Sequence, residues 1–132
     1  MIVDTSALVA ILKAEPDADD YVRALAEADS SQMSQGTLVE LSAVLWRQFR
    51  ATETDVRALL TEYDIAIAPA QEIDAWEAAQ AYRRWGPTSG TGARLNLGDC
   101  FAYALARARD DTLLFKGDDF PHTDVRPALP AT

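Results

Sequence analysis

Four places in this chain put a carboxylate where an ordinary surface would not. Asp4 interrupts the apolar opening M-I-V-D-T-S-A-L-V-A, directly after Ile2 and Val3. Glu40 lies in T-L-V-E-L-S-A-V-L-W, with apolar Ala43 and Val44 three and four residues on. Asp99 enters L-N-L-G-D-C-F-A-Y-A-L-A, a run that is apolar nearly all round. Asp118 and Asp119 follow T-L-L-F in K-G-D-D-F. Each also has a plain structural reading: Asp4 as a helix cap, Glu40 on a polar stripe, Asp99 beside a helix N-terminus, and the 118–119 pair in a surface turn. Together they point to a chemistry. Carboxylates that gather disfavour one another's ionised forms, and a hard divalent cation relieves this. Mg²⁺ or Mn²⁺ takes oxygen ligands, keeps several waters and leaves positions open for a phosphate. A structural zinc cage does not fit, because the chain has one cysteine, Cys100, and one histidine, His122. Asp17, Asp19, Asp20, Glu27, Asp29, Glu53, Asp55 and Glu62 sit at helix starts or among polar neighbours and read as a solvated face.

For the four sites to meet, separate elements must bring them to one edge. Ile2 and Val3 predict a strand, followed by a helix through Lys13 that Thr5 or Ser6 caps. Further helices are predicted over residues 18–28, 37–50, 52–63, 70–85 and 97–109, on apolar positions recurring at helical spacing. In the helix over 70–85, Ile73, Trp76, Ala79 and Tyr82 read as the packed face. Residues 30–34 fit a connection or strand. Residues 65–68 and 112–115 read as buried strands, and 124–129 can hold one more. Residues 86–92, with three of the six glycines, read as a loop. Helices alternating with short strands predict a single α/β domain over residues 1–132, with a mostly parallel central sheet of four to five short strands flanked by helices. Ligands bind at the carboxyl ends of strands in such sheets, where Asp4 and the 118–119 pair fall.

Composition narrows the function classes. At 48% hydrophobic and 25% charged, the 132 residues read as one folded soluble domain. No apolar run is long enough for a membrane span, no secretory signal is evident, and a lone cysteine fits a reducing cytoplasm. The formal net charge of −9 argues against general nucleic-acid binding and for cations or a basic partner. Of the twelve basic residues, Arg94 and Lys116 lie closest in sequence to the unusual acids and are the first candidates for phosphate contacts.

The opening stretch, the V-E-L-S-A-V-L helix, L-N-L-G-D-C-F-A-Y-A-L-A and L-L-F-K-G-D-D-F, in this order, resemble PIN-domain ribonucleases, and more closely the VapC toxins of bacterial toxin–antitoxin modules. The resemblance runs from residue 1 to about 124. It implies a PIN-like fold and Mg²⁺-dependent (or Mn²⁺-dependent) endonucleolytic cleavage of RNA, transfer RNA first and ribosomal RNA next. Asp4, Glu40 and Asp99 match the family's acids and its metal site. Ser6 matches a hydroxyl that supports the first acid, and Asn96 a polar residue that holds water or substrate. Many PIN domains place the fourth acid where this chain has Gly117. Asp119 is then the better match and Asp118 the alternative. The resemblance also implies a VapB-type antitoxin as partner and a homodimer. Two other readings stay open: a PIN-like scaffold that only binds partners, and a Mg²⁺-dependent phosphatase, against which D-T-S-A-L at positions 4–8 lacks the second acid of D-x-D-x-T.

Overall fold

The computed structural model describes residues 1–130. Its elements run β1 (Ile2–Val3), α1 (Thr5–Leu12), α2 (Ala18–Glu27), β2 (Ser31–Met33), α3 (Gln35–Phe49), α4 (Glu53–Glu62), β3 (Ile65–Ile67), α5 (Glu72–Trp85), α6 (Leu97–Ala108) and β4 (Leu113–Leu114), with a 3₁₀ turn at Phe120–His122. The strands form one sheet in the order β3-β2-β1-β4, and all three pairings are parallel. The expected α/β architecture is therefore present. The segment from 124 to 129 adds no fifth strand; it touches the sheet through an isolated parallel bridge between Leu113 and Pro127. The bridge is held by the Leu113 N–H donating to the Arg126 carbonyl at 2.9 Å and the Ala128 N–H donating to the Leu113 carbonyl at 2.8 Å.

Although the strands are only two or three residues long, their alternation sorts the core. Ile2 and Leu113 face a cluster built with Ala78, Ala81, Leu95, Tyr103 and Phe120 on the α5–α6 side. Val3 and Leu114 point the other way, into Leu8, Leu25, Leu41, Leu45 and Leu59 from α1 to α4. Helices thus cover both faces, as a parallel sheet requires.

One helix turns a different face inward from the one its large residues predict. On α5 the buried positions are Ala78 and Ala81, while Ile73, Trp76 and Tyr82 stand 53%, 63% and 40% exposed. Small residues let the α5 and α6 backbones lie close, and α6 is itself buried along Cys100 and residues 102–106. Apolar periodicity alone cannot distinguish a close alanine seam from a stripe of larger side chains.

The chain runs from β1 outward to β2 and β3, then returns by α5 and α6 to add β4 on β1's other side. The carboxyl ends of β1 and β4 therefore flank a topological switch point, where open α/β sheets form their binding crevice. Two glycines bring α3 against α6 there. A methyl group on Gly36 would meet the Phe101 ring, with the nearest atom at 2.2 Å, and one on Gly98 would overlap the Glu40 carboxylate.

Candidate active site

Asp4 leaves β1 and caps α1. Its backbone is extended (φ −89°, ψ 155°), and its Oδ2 accepts from the Ser6 N–H at 3.1 Å and from the Ser6 hydroxyl at 2.6 Å. The cap is thus Asp4, and neither Thr5 nor Ser6. The residue is 2% exposed, and its other oxygen, Oδ1, is buried with no hydrogen-bond partner among the described residues. The two oxygens thus differ: one holds the helix, and the other has no partner. Burial pushes the carboxyl from 3.8 up to about 6, opposed by the Ser6 hydrogen bonds and reinforced by the charge of Glu40.

Asp99 stands in the first turn of α6, where Asn96 and Asp99 form a reciprocal capping box. The Asn96 N–H donates to Asp99 Oδ2 at 3.0 Å, and the Asp99 N–H donates to Asn96 Oδ1 at 2.9 Å. Asn96 orients the acid through this box. Burial raises the Asp99 carboxyl to about 7, and the charges of Asp4, Glu40 and Asp119 add to the rise. Asp4, Glu40 and Asp119 therefore lie near enough to Asp99 for their charges to act on it.

Glu40 projects from the second turn of α3, with its carboxylate in the space that a side chain on Gly98 would fill: a Cβ there would stand 1.6 Å from Glu40 Oε2. Asp119 is half-buried at the start of the 3₁₀ turn, whereas Asp118 is exposed. Between the two, the geometry turns Asp119 toward the crevice. Arg94 is exposed two residues before the Asn96 cap.

Lys116 is placed differently from a free phosphate contact. Its ammonium is held by Asp17 at 2.8 Å and by Glu15 in a closer contact, and its backbone N–H donates to Ser6 Oγ at 2.9 Å. Asp17 is correspondingly not a bare surface acid: the Lys116 ammonium holds its carboxyl below the usual range. Sequence reading missed Glu15, Asp17 and Gly98. The first two are about a hundred residues from Lys116 and carry no local signal; Gly98 had one, since a small residue beside Asp99 is what a close helix approach needs.

The donor set is all carboxylate oxygen. Among the described residues no three His, Cys, Asp or Glu side chains are grouped tightly enough to cage an ion by themselves. Any cation held here would have to draw the rest of its shell from water or substrate oxygens.

Comparison with known proteins shows the family. The PIN domain pattern matches residues 1–126. The chain belongs to the PIN-domain family. Within it, the chain groups with VapC ribonucleases. It is 48% identical to Ribonuclease VapC42 of Mycobacterium tuberculosis over 129 residues, 97% of this chain and 98% of the relative. It is 44% identical to Ribonuclease VapC28 of the same organism over 130 residues, 98% of each chain. The crystal structure of M. tuberculosis VapC20, described as a sarcin-ricin loop cleaving toxin, superposes with a TM-score of 0.68 over 96% of this PIN domain and 98% of that chain, at 17% identity. At that identity the likeness shows the shared fold. No helix among the described residues of this PIN domain is long and apolar enough to cross a membrane.

Proposed function

We propose that this PIN domain is the toxin of a VapBC-type toxin–antitoxin module, a metal-dependent endoribonuclease held in check by a VapB-type antitoxin. The observation that carries the reading is the convergence of Asp4, Glu40, Asp99 and Asp119 on one sheet edge, with Asp4 Oδ1 buried and unpartnered. A buried polar atom without a partner is costly, and here it points to a ligand that the carboxylates share. Asp4, Asp99 and Glu40 would hold Mg²⁺, or Mn²⁺ in its place. When bound, such an ion supplies positive charge to the scissile phosphate and acidifies a water. The chain's own groups do the rest. Asp4 and Asp99, fixed by the α1 cap and the α6 capping box, define where the phosphate is presented. Glu40 or Asp119 takes the proton of the attacking water. Breaking the bond from phosphorus to the 3′ oxygen leaves a 3′-hydroxyl and a 5′-phosphate. Arg94 contacts the RNA backbone at the rim. Transfer RNA is the proposed target, with ribosomal RNA second, and the active form is a homodimer in the cytoplasm.

The test is cleavage of a defined transfer RNA and of a ribosomal stem-loop by purified protein in Mg²⁺, in Mn²⁺ and in EDTA, with end-mapping of the products. Cleavage that needs the cation, leaves 5′-phosphates and is blocked by the antitoxin supports the reading. Absence of cleavage on both RNAs and on total RNA favours the partner-binding scaffold.

Gly98→Ala is a second test of the same geometry. The added methyl cannot share space with the Glu40 carboxylate, but that carboxylate is the far end of a flexible side chain and can swing away. Stability should change little, while cleavage should fall on the order of 10²-fold, the usual cost of misplacing a catalytic group by about 1 Å. Single-turnover kinetics beside thermal melts read both; undiminished cleavage removes Glu40 from the chemistry.

A further inference from the structure

We propose that Glu15 and Asp17, acting through Lys116, form a clasp that positions Asp4, and that Lys116 serves the site as a positioning residue with no RNA contact; the proposal rests on the ribonuclease reading above. The argument begins at the Ser6 hydroxyl. It accepts the Lys116 backbone N–H at 2.9 Å and donates its single proton to Asp4 Oδ2 at 2.6 Å. The Lys116 amide therefore fixes both the place and the polarity of the hydrogen bond that orients Asp4.

The sheet does not hold that amide in place. β4 ends at Leu114, whose carbonyl accepts the Asp4 N–H at 2.9 Å, and Lys116 lies two residues beyond the ladder. Gly117 follows with φ +122°, a conformation that only glycine adopts freely, so the turn there is soft. The anchor is the Lys116 side chain, held by Asp17 at 2.8 Å and by Glu15. Asp17 is steadied in turn by the Tyr21 hydroxyl, which donates to its Oδ2 at 3.2 Å.

Glu15 and Asp17 sit in the connection that follows α1, the helix that Asp4 caps. The circuit closes: Asp4 starts α1, the chain beyond α1 grips Lys116, Lys116 sets Ser6, and Ser6 sets Asp4. The ammonium group is partly exposed, with the side chain 36% accessible, so these ion pairs contribute little to global stability. Their effect is local geometry at Asp4, whose second oxygen is buried and unpartnered.

The experiment compares wild type with Lys116→Met, the double variant Glu15→Gln/Asp17→Asn, the combined triple variant and Lys116→Arg. It measures kcat and KM for RNA cleavage, RNA affinity in EDTA, and amide hydrogen exchange at Ser6 and Lys116. A clasp predicts that the double variant and Lys116→Met each lower kcat about ten- to a hundred-fold, the scale of losing the support of a metal ligand. KM and RNA affinity stay within about twofold, the triple variant is no worse than either parent because one circuit is broken once, and Lys116→Arg recovers most of the loss. The Lys116 amide exchanges faster in Lys116→Met and in the double variant. A phosphate contact predicts the opposite sign: freeing Lys116 from its carboxylates tightens RNA binding, and Lys116→Met weakens it with a smaller salt dependence. Either result overturns the proposal, as does unchanged kcat. Should the wild type cleave no RNA, the ribonuclease reading fails by itself. The exchange data then still decide whether the clasp exists, and unchanged exchange rejects it.

Discussion

Asp4→Asn should abolish RNA cleavage and, in the absence of divalent cations, make the folded protein more stable. The two effects come from the same two oxygens. As an ionised carboxylate in a position 2% exposed, Asp4 faces Glu40 and Asp99 with one oxygen unpaired. The rise of its pKa from 3.8 to about 6 corresponds to a cost on the order of 3 kcal/mol at a pH where the acid is ionised in both folded and unfolded chains. Asparagine keeps the shape and the acceptor for the Ser6 N–H. It also places an N–H₂ donor where Oδ1 stood, facing the neighbouring acids. Part of the gain is offset, because the Ser6 bonds lose their charge-assisted strength. A net stabilisation of about 1 to 2 kcal/mol at pH 8 in EDTA is expected from these opposing contributions. Activity should fall by roughly 10³-fold or more, since an amide is a far poorer ligand for a hard cation and several kcal/mol of transition-state stabilisation go with the ion. Urea unfolding in EDTA and single-turnover cleavage in Mg²⁺ measure the pair. An inactive variant that is also less stable would make Asp4 a structural cap with no functional surplus.

Much of this site was legible before any coordinates, because misplaced charge is a local signal. Asp4, Glu40 and Asp99 stand out as acids inside apolar runs, and the sheet edge they share follows from strands alternating with helices. The caps were visible only in part. Thr52 and Asp55 form a capping box in α4 at the regular spacing, and the Asn96–Asp99 box has the same spacing but stands behind the functional reading of both residues. Asp4 shows that a cap and a ligand need not compete when a carboxylate has two oxygens. What the sequence could not show is pairing at long range. Nothing around Lys116 says that its charge is spent on Glu15 and Asp17, and nothing around Asp17 distinguishes it from the solvated acids of other helix starts. Ile73 and Trp76 stand exposed, against their periodicity, for a related reason: which face of α5 is buried depends on how closely α6 approaches, and that is decided by Ala78 and Ala81.

In EDTA the protein should become less stable as pH rises from about 4 to about 7, and Mg²⁺ should restore what is lost. Asp4 and Asp99 have folded-state pKa values of about 6 and about 7, both above the 3.8 of an unperturbed aspartate. Between those limits the folded chain binds more protons than the unfolded chain, so unfolding releases protons and stability falls with increasing pH. The acids whose pKa is lowered, Asp17, Asp55, Asp111 and Asp124, oppose this only at the acid end of the window. Above about pH 5 they are ionised in both states, and their contribution is lost as pH falls through the range below. Because the charge of Asp4 adds to the rise at Asp99, the two do not titrate independently and their separate costs are not additive. The combined loss across the window is therefore smaller than the sum of the two shifts taken separately. A divalent cation reverses the sign locally. It binds the ionised acids, releases the protons they held, and stabilises the folded state by an amount that grows with the ratio of its concentration to its Kd. Urea midpoints from pH 4.5 to 8, with EDTA and with Mg²⁺, should therefore diverge as pH rises, and in Asp4→Asn the EDTA curve should be flatter and the Mg²⁺ gain smaller. Curves that rise together through pH 5 to 7, or that Mg²⁺ leaves unmoved, would mean that these carboxylates are not held against one another at the sheet edge.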